Sequence, residues 1–378
     1  MIPYNRHTLD DDDITEVLRA LKSSNVTRGP ITEEFERAVA EYCNVDYAVS
    51  FNNGTSALYA AYRAAGVKNN DNIITTPITF CATVNTAVLC GARPIFVDID
   101  FDTGLIDPVE IDINLDSKTK AIVPMDYAGQ PCDMDAIMDI AGKNKIWVIE
   151  DACHSLGATY KNRKVGCLAD MTVFSFHAIK TITTGEGGMV VTNNKKLFSR
   201  LQMIRNHGFY STPKWAYPYD MFEMGLNLHM TEFQSALGLS QIKKIDYLLD
   251  ARQNVADIYN KFLNKGVDGI KHTVLRSDVQ SSNHLYTVWI PPEINRDIVM
   301  KEMHKQKIYV QVHYLPVYWF TYYKDVFGFK EGLCINAEKF YKGILSLPCY
   351  PYLFTTDKGF SVVDIFKGVI EKCRKMKK

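Results

Sequence analysis

The chain has 378 residues, and its 43 lysines and arginines balance its 43 aspartates and glutamates. This neutral charge gives no electrostatic support for nucleic-acid binding, and no apolar run approaches the ~20 residues that a membrane span needs. The length favours two domains over one core. The nine cysteines are odd in number and scattered, as is typical of reduced thiols in a cytoplasmic protein. No histidine or cysteine spacing indicates a zinc site, so we expect no metal.

The N-terminal part begins with helices. Acidic residues open a predicted helix over Asp10–Leu21, and a turn at Arg28–Pro30 leads into a second helix, Thr32–Tyr42. A short strand, Ala48–Phe51, then runs through a polar turn into the helix Ala57–Ala65. This strand is the first of a longer series.

Strands and helices alternate from there onward. The predicted strands are Asn72–Thr75, Pro94–Asp98, Ala121–Met125, Ile146–Glu150, Met171–Phe176 and Met189–Thr192. Helices such as Cys81–Cys90 and Met134–Ala141 lie between them. This alternation predicts an α/β fold, with a mostly parallel sheet that is covered on both faces. Ligands of such sheets bind at the carboxyl ends of the strands.

The pattern changes after residue 231. Thr231–Gln234 has the form of a capping box and opens a predicted long helix, Glu232–Leu263. Beyond it, Val274–Pro291 and Ile308–His313 have the composition of strands, and they flank a predicted helix, Asp297–Gln306. This arrangement indicates a second, smaller α+β domain.

We therefore predict a large domain over residues 1–245 and a small domain over residues 246–378. The candidate chemistry lies in the large domain. Lys180 follows the apolar strand Met171–Phe176 and precedes a turn rich in hydroxyl groups and glycine. A buried ammonium must be paired or lose its proton, and a neutral amine can form a Schiff base with a carbonyl. A surface lysine after an edge strand is the ordinary alternative.

Two further groups of polar residues follow strands. Gly54, Thr55 and Ser56 lie between a strand and a helix, where free N–H groups can bind an anion, although a plain helix cap would look the same. Asp151 ends a strand and could hold a cation or act as a base, or it could simply cap the next turn. His154 follows three residues later.

Taken together, these residues match the needs of one cofactor. Pyridoxal phosphate requires a lysine for its aldehyde, donors for its phosphate and a carboxylate that keeps its ring nitrogen protonated. Lys180, the Gly54–Ser56 turn with Ser175, and Asp151 provide these groups in turn. The set as a whole is more specific than any of its members.

On these motifs the chain resembles the fold-type I, DegT-type nucleotide-sugar aminotransferases over almost its whole length. Within them it is most similar to the UDP-sugar 4-aminotransferases of pseudaminic acid synthesis. The motifs that carry the resemblance are Ile2–Tyr4, Thr27–Pro30, Asn53–Leu58, Thr75–Phe80, Asp126–Gly129, Glu150–Gly157, Phe174–Gly188, Ser281–Tyr286, Val312–Pro316 and Ser346–Pro348.

The resemblance implies a role for each cofactor residue. Lys180 should hold the aldehyde carbon and then move protons, and Asp151 should bind the ring N–H. Phe80 should stack on the ring, although it could also be an ordinary core aromatic. His154 should lie near the phenolic oxygen of the cofactor.

The remaining implied roles concern the phosphate and the second subunit. Gly54, Thr55, Ser56 and Ser175 should hold the phosphate. Asn227 should reach the phosphate of the partner subunit, which implies a homodimer with shared active sites.

The resemblance also implies that four further residues contact the sugar and the nucleotide, namely Tyr4, His284, His313 and Tyr314. Three positions depart from the family pattern: His229 stands where arginine is usual, and His7 and Arg28 stand where glutamine is common. These departures concern anion contacts and the identity of the sugar.

We therefore expect a cytoplasmic enzyme that moves an amino group from L-glutamate to C4 of a UDP-linked 4-keto-6-deoxy-N-acetylhexosamine. Amination at C3, or of another stereoisomer, is an alternative within the same chemistry. A sugar dehydratase of the same fold is a second alternative, but Lys180 argues against it because such enzymes carry histidine at this position. A regulator that binds the cofactor without turnover is the third.

Overall fold

The structure, a computed structural model, describes residues 1–209, 220–263 and 269–375. Its helices are α1 Asp11–Leu21, α2 Pro30–Cys43, α3 Gly54–Ala64, α4 Cys81–Leu89, α5 Pro108–Ile113, α6 Met134–Asn144, α7 Lys195–Arg205, α8 Glu232–Ile242, α9 Ile245–Leu263, α10 Arg296–Lys305, α11 Thr321–Phe327, α12 Ile335–Gly343 and α13 Asp357–Lys375. Polar side chains begin several of them: Asp10, Asn53 and Thr231 each accept a backbone N–H of the first turn. Within the described ranges, no helix is both long and apolar enough to cross a membrane.

A seven-stranded sheet forms the centre of the molecule. The strands are β1 Tyr47–Phe51, β2 Asn72–Thr75, β3 Arg93–Phe96, β4 Thr119–Val123, β5 Trp147–Asp151, β6 Thr159–Tyr160, β7 Arg163–Lys164, β8 Met171–Ser175, β9 Gly188–Thr192, β10 Lys271–His272, β11 Val279–Gln280, β12 Tyr286–Trp289 and β13 Ile344–Leu347. The central sheet has the order β1-β9-β8-β5-β4-β2-β3. Only β9 runs against its neighbours, so the predicted α/β class with a mixed, mostly parallel sheet is confirmed.

Each face of this sheet has its own apolar core. Along β5, Val148 joins the core that contains α2 and α6, whereas Ile149 joins the core that contains α3 and α7. Along β8, Phe174 and Val173 divide between the same two cores. Since side chains alternate across a strand, both faces of the strands must be apolar, and their near-continuous apolar sequences follow from this.

A third core lies under the three-stranded sheet β10-β12-β13. It is built from α10, α13 and one part of α9. Helix α9 contributes Ile245 and Leu248 to the large core and Val255 and Tyr259 to this smaller one. The domain boundary at residue 245 remains a prediction.

Two predicted elements were wrong. The helix over Glu232–Leu263 is interrupted at Lys243 and Lys244, because the chain turns there and Lys244 forms ion pairs with Asp10 and Asp13. The segment Ile308–His313 makes isolated bridges and is not a strand.

The strand that pairs with β12 is β13, which the sequence analysis did not predict and which follows α12 without a loop. No turn signal marks this change in the sequence. The predicted capping box at Thr231 is confirmed, with Gln234 as its second member.

Candidate active site

A cleft of about 670 Å³ opens at the carboxyl ends of β5 and β8. It lies where ligands of parallel sheets are expected. The cleft brings together most of the predicted site residues: Tyr4, Gly54, Thr55, Phe80, Asp151, His154, Ser175, Lys180, His284, His313 and Tyr314. Ser56 and Asn227 do not line it.

Lys180 lies in a turn just after β8, and its backbone N–H donates to the carbonyl of His177 at 2.9 Å. The side chain is half-buried and forms no ion pair within the described part of the chain. Burial lowers the pKa of the amine, and the neighbouring Cys153 and Asp151 only partly oppose this shift. The site therefore favours a neutral amine, which is the form that reacts with carbonyls.

Asp151 is the last residue of β5 and is almost fully buried. Its Oδ2 accepts the hydroxyl of Thr83 at 2.6 Å, and its Oδ1 accepts the backbone N–H of Cys153 at 3.2 Å. Its backbone is tied to β4 through Pro124, whose carbonyl is 2.8 Å from the Asp151 nitrogen. The carboxylate is thus held in one orientation.

Thr83 did not emerge from the sequence, although a signal was present. It lies three residues after Phe80, which begins α4, so the two side chains lie on the same side of the first turn. Phe80 itself is 57% exposed although it lines the cleft. An exposed aromatic face beside a fixed carboxylate is suited to a flat, cationic ring.

The turn before α3 forms a small concave surface. Asn53 caps the helix by accepting the N–H of Ser56 at 2.8 Å, and Gly54 and Thr55 of the first turn line the cleft. A Cβ added at Gly54 would lie 3.0 Å from the Cβ of Ser175, so a larger residue would have to push helix and strand apart by a few tenths of an ångström. Because the backbone N–H of Ser56 donates to Asn53, the hydroxyl group is the donor that Ser56 has left for the predicted phosphate contact.

Histidines form the opposite wall of the cleft. The rings of His154 and His284 lie 4.2 Å apart, and the Nδ1 atom of each is buried without a partner in the described residues. Burial lowers the pKa of both rings well below the usual value and lowers that of His313 to about 4. His313 also donates to or accepts from Ser346, with 2.8 Å between Nδ1 and Oγ. The wall is therefore polar but uncharged at neutral pH.

Asn227 is exposed and lies outside the cleft, where it bridges to Asn206. His229, the residue that replaces the usual arginine, hydrogen-bonds the side chain of Asn206 at 3.2 Å. Burial, with the charges of Arg205 and Arg28, lowers the pKa of His229 to about 3. A neutral ring at this position provides no positive charge to attract an anion. Whether Asn227 contacts a second subunit remains a prediction.

The residues present fit pyridoxal phosphate. Lys180, Asp151 and Phe80 line one cleft, the glycine at position 54 leaves room beside Ser175, and the buried Nδ1 of His154 has no hydrogen-bond partner among the described residues. Lys180 would meet the aldehyde and Asp151 the ring nitrogen. The space beside Ser175 would take the phosphate, and His154 would lie near the phenolic oxygen. Among residues 1–209, 220–263 and 269–375, no group of three or more acidic, histidine or cysteine side chains could hold a metal ion.

Residues 7–367 match the model of the DegT/DnrJ/EryC1/StrS aminotransferase family. The chain is also 39% identical, over 99% of each sequence, to a Campylobacter jejuni protein named UDP-4-amino-4,6-dideoxy-N-acetyl-beta-L-altrosamine transaminase. The similarity therefore extends over the three described sheets and the cleft.

Two solved structures are similar over nearly the whole fold. The Helicobacter pylori aminotransferase PseC, involved in the biosynthesis of pseudaminic acid, superposes with a TM-score of 0.93 at 34% identity, covering 98% of this chain and 99% of that one. The pyridoxal-phosphate form of the putative sugar aminotransferase Spr1654 from Streptococcus pneumoniae has a TM-score of 0.92 at 30% identity, covering 98% and 99%.

Proposed function

The chain belongs to the DegT/DnrJ/EryC1/StrS aminotransferase family, and on that premise we propose that it transfers an amino group from L-glutamate to C4 of a UDP-linked 4-keto-6-deoxy-N-acetylhexosamine. It is a sugar aminotransferase that depends on pyridoxal phosphate and has the fold-type I architecture, so the expected family, fold, enzyme class and cofactor are confirmed. The amino donor, the nucleotide and the position of amination are the proposal. The name of the Campylobacter relative supports the sugar, and the free state of all nine cysteines supports a cytoplasmic location.

One observation carries the proposal: a lysine amine that has no ion-pair partner among the described residues lines the same cleft as a fixed, buried carboxylate. A dehydratase of this fold carries histidine at the lysine position. A regulator without turnover has no need of an amine whose pKa is lowered by burial. Both alternatives are therefore weaker.

Bound pyridoxal phosphate supplies an electron sink for negative charge at the carbon that carries the amino nitrogen. Lys180 would hold the cofactor and then, as a free neutral amine, would carry a proton between that carbon of the substrate and the aldehyde carbon of the cofactor. Burial lowers the pKa of the Lys180 amine and so favours the neutral form, which the second role requires.

Asp151 keeps a proton on the ring nitrogen of the cofactor. A carboxylate held by Thr83 and by the N–H of Cys153 does not need to reorient during the reaction. The first turn of α3 and Ser175 would orient the phosphate, and Phe80 would cover one ring face.

The sugar side of the cleft suits an uncharged group. His284, His313, Tyr314 and Tyr4 offer neutral donors and acceptors, and the low pKa of each histidine prevents repulsion of the cationic cofactor ring. Hydroxyl and acetamido groups are matched by such donors. This is the basis for assigning the four residues to the substrate.

We further propose a homodimer in which Asn227 reaches the phosphate in the partner's cleft. Its exposure and its position outside the cleft of its own chain support this role. His229 is neutral and adds no charge to the contact. The homodimer would complete each site with one amide from the second subunit.

The test uses purified protein, cofactor, ¹⁵N-labelled L-glutamate and a panel of UDP-4-keto and UDP-3-keto sugars. We expect one ¹⁵N atom at C4 of a single product, identified by mass and NMR. Lys180→Arg serves as the matched variant, because it preserves a long basic side chain but cannot supply a neutral amine. It should give no labelled product.

Three outcomes would contradict the proposal. Label at C3 would overturn the assigned position, and a product that lost oxygen without gaining nitrogen would indicate the dehydratase. Turnover by the Lys180→Arg variant would refute the role of the lysine.

A further inference from the structure

A second pocket, the α10–α12 pocket, lies away from the candidate active site and shares no lining residue with it. It has a volume of about 300 Å³ and is enclosed by Trp289 at the end of β12, residues 295–297 at the start of α10, and Lys339, Lys342 and Gly343 of α12. This volume is at the lower end of the range of about 300–1,000 Å³ that is typical of small-molecule sites. Amino transfer in the cleft does not account for this pocket.

The lining of the α10–α12 pocket is rich in positive charge. Lys339 and Lys342 are exposed, lie three positions apart on α12, and form no ion pair within the described part of the chain. The third cation is Arg296, and the one acid in the lining, Asp297, is paired with it. Three positive charges against one negative charge leave a net charge of two positive units.

Arg296 is held in place by the protein, since it is only 7% exposed. Its Nη1 atom donates to the carbonyls of Tyr341 at 3.1 Å and Ile344 at 2.8 Å, and its Nε atom donates to Asp297 at 2.6 Å. The Cζ atom lies 5.1 Å from the centroid of the Tyr341 ring. The remaining nitrogen, Nη2, has no hydrogen-bond partner among the described residues and is not sealed from solvent. A guanidinium group that is fixed in this way has donors left for an oxyanion.

The backbone carbonyls at the end of α12 are already paired. Those of Tyr341 and Ile344 accept Arg296, and that of Gly343 accepts the N–H of Ile290 at 2.8 Å. The oxygens that would repel an anion in the pocket are therefore bonded to protein donors, whereas the two lysines have no such partners.

An aromatic wall lies beside these cations. Trp289 lines the pocket, and its ring packs at a right angle to Phe101 with 5.4 Å between the centroids. The Nζ atom of Lys339 lies 4.6 Å from the centroid of the Phe101 ring, so this lysine is placed next to the wall. Aromatic side chains bind flat organic groups, and cations bind phosphates.

We propose that the α10–α12 pocket binds the phosphate group of a small phosphorylated ligand, with Arg296, Lys339 and Lys342 as its cationic partners and Trp289 beside its organic part. A phosphate ester carries about −1.5 to −2 charges at pH 7, which matches the net charge of the lining. Free phosphate makes the same charged contacts but cannot use the aromatic wall. The site does not rest on the proposed function, because it shares no residue with the cleft.

The experiment uses ¹⁹F NMR of the holoenzyme labelled with 5-fluorotryptophan, so that bound pyridoxal phosphate occupies the cleft. The Trp289 signal is identified by its loss in Trp289→Phe. Adenosine 5′-phosphate, inorganic phosphate and adenosine are titrated separately at constant ionic strength. We expect a saturable shift of the Trp289 signal with adenosine 5′-phosphate, weaker binding of inorganic phosphate and no shift with adenosine. An equal response to adenosine and to its phosphate would overturn the assignment of the phosphate group.

Two matched double variants test the cations. Lys339→Gln combined with Lys342→Gln should weaken the binding of adenosine 5′-phosphate by at least about 10-fold, because two charged contacts are lost. Lys195→Gln combined with Lys196→Gln is the control, since it removes two exposed lysines from the first turn of α7 and changes the net charge equally. It should leave the affinity unchanged.

Two results would refute this site. The first is a Trp289 signal that does not shift saturably with adenosine 5′-phosphate up to about 10 mM, a concentration at which a site of millimolar affinity is mostly filled. The second is the same affinity in both double variants, which would show that net charge, and not this pocket, determines binding. Because neither measurement uses turnover, the site and the transaminase proposal stand or fall separately.

Discussion

Thr83 donates a 2.6 Å hydrogen bond to the carboxylate of Asp151, and the hydroxyl oxygen of Thr79 lies 2.7 Å from that of Thr83. Since Thr83 has a single hydroxyl proton and the carboxylate is the stronger acceptor, Thr79 must donate to Thr83. This chain of hydroxyls links the start of α4 to the end of β5. It is the contact that orients Asp151 toward the cleft.

Replacing Thr83 with valine should lower kcat/KM, because valine has nearly the same size but lacks the hydroxyl group. A lost hydrogen bond to a charged group costs about 1.5–3 kcal/mol, which corresponds to a fall of about 10-fold to 100-fold in kcat/KM if the bond is needed in the transition state. Steady-state kinetics of Thr83→Val would measure this. Thr83→Ser keeps the hydroxyl and should retain most of the activity, and equal losses in both variants would contradict the role of the hydrogen bond.

Replacing Glu150 with glutamine should stabilise the protein at high pH. Glu150 is fully buried beside Asp126, and burial raises its pKa well above the usual value of 4.5. The folded state therefore binds this proton more tightly than the unfolded state. The stability that it contributes is complete below pH 4.5 and is lost as the pH rises toward the folded pKa.

Glutamine does not titrate, so the advantage of Glu150→Gln should grow by up to about 1.4 kcal/mol per pH unit in this window. Urea unfolding at about pH 5.5 and about pH 8 would measure the difference. Glu302→Gln is the control: Lys305 and Lys372 lower the pKa of Glu302 to about 2, so this group is ionised in both states and its effect should not vary. An equally flat result for Glu150→Gln would contradict the prediction.

Replacing Glu232 with alanine should strongly destabilise the N-terminal part. This buried carboxylate accepts the backbone N–H groups of Gly29, Ile31 and Thr32 at 2.9–3.1 Å, and so it caps α2 from 200 or more positions away in the chain. Alanine leaves these donors unpaired and removes a negative charge from a helix N-terminus, which together cost about 3 kcal/mol or more.

Urea denaturation of Glu232→Ala beside Glu33→Ala would check this, because Glu33 is an exposed acid in the first turn of the same helix. The control should change stability by about 0.5 kcal/mol or less. Similar values for both variants would show that the long-range cap contributes little. A Cβ at Gly29 would lie 2.6 Å from the Glu232 carboxylate, which gives the Arg28–Pro30 turn a physical reason for its glycine.

The sequence allowed the half of the cleft built on the sheet to be predicted. Lys180 and Asp151 each follow an apolar strand, and the carboxyl ends of parallel strands meet at one edge. The bond from Thr83 to Asp151 joins a helix to a strand across the fold, and local periodicity carries no record of such a pair. The same limit explains why β13 was missed, since it pairs with β12 across α10, α11 and α12.

The order of the central sheet has a consequence for synthesis on the ribosome. Strand β1 lies at the edge of the described sheet, and its neighbour there is β9, with Tyr47 opposite Thr192. A chain that emerges at about 5–20 residues per second exposes β1 for several seconds before β9 exists. During that interval the nascent strand presents an open backbone and apolar side chains, so its chief hazard is pairing with another nascent chain on the same message.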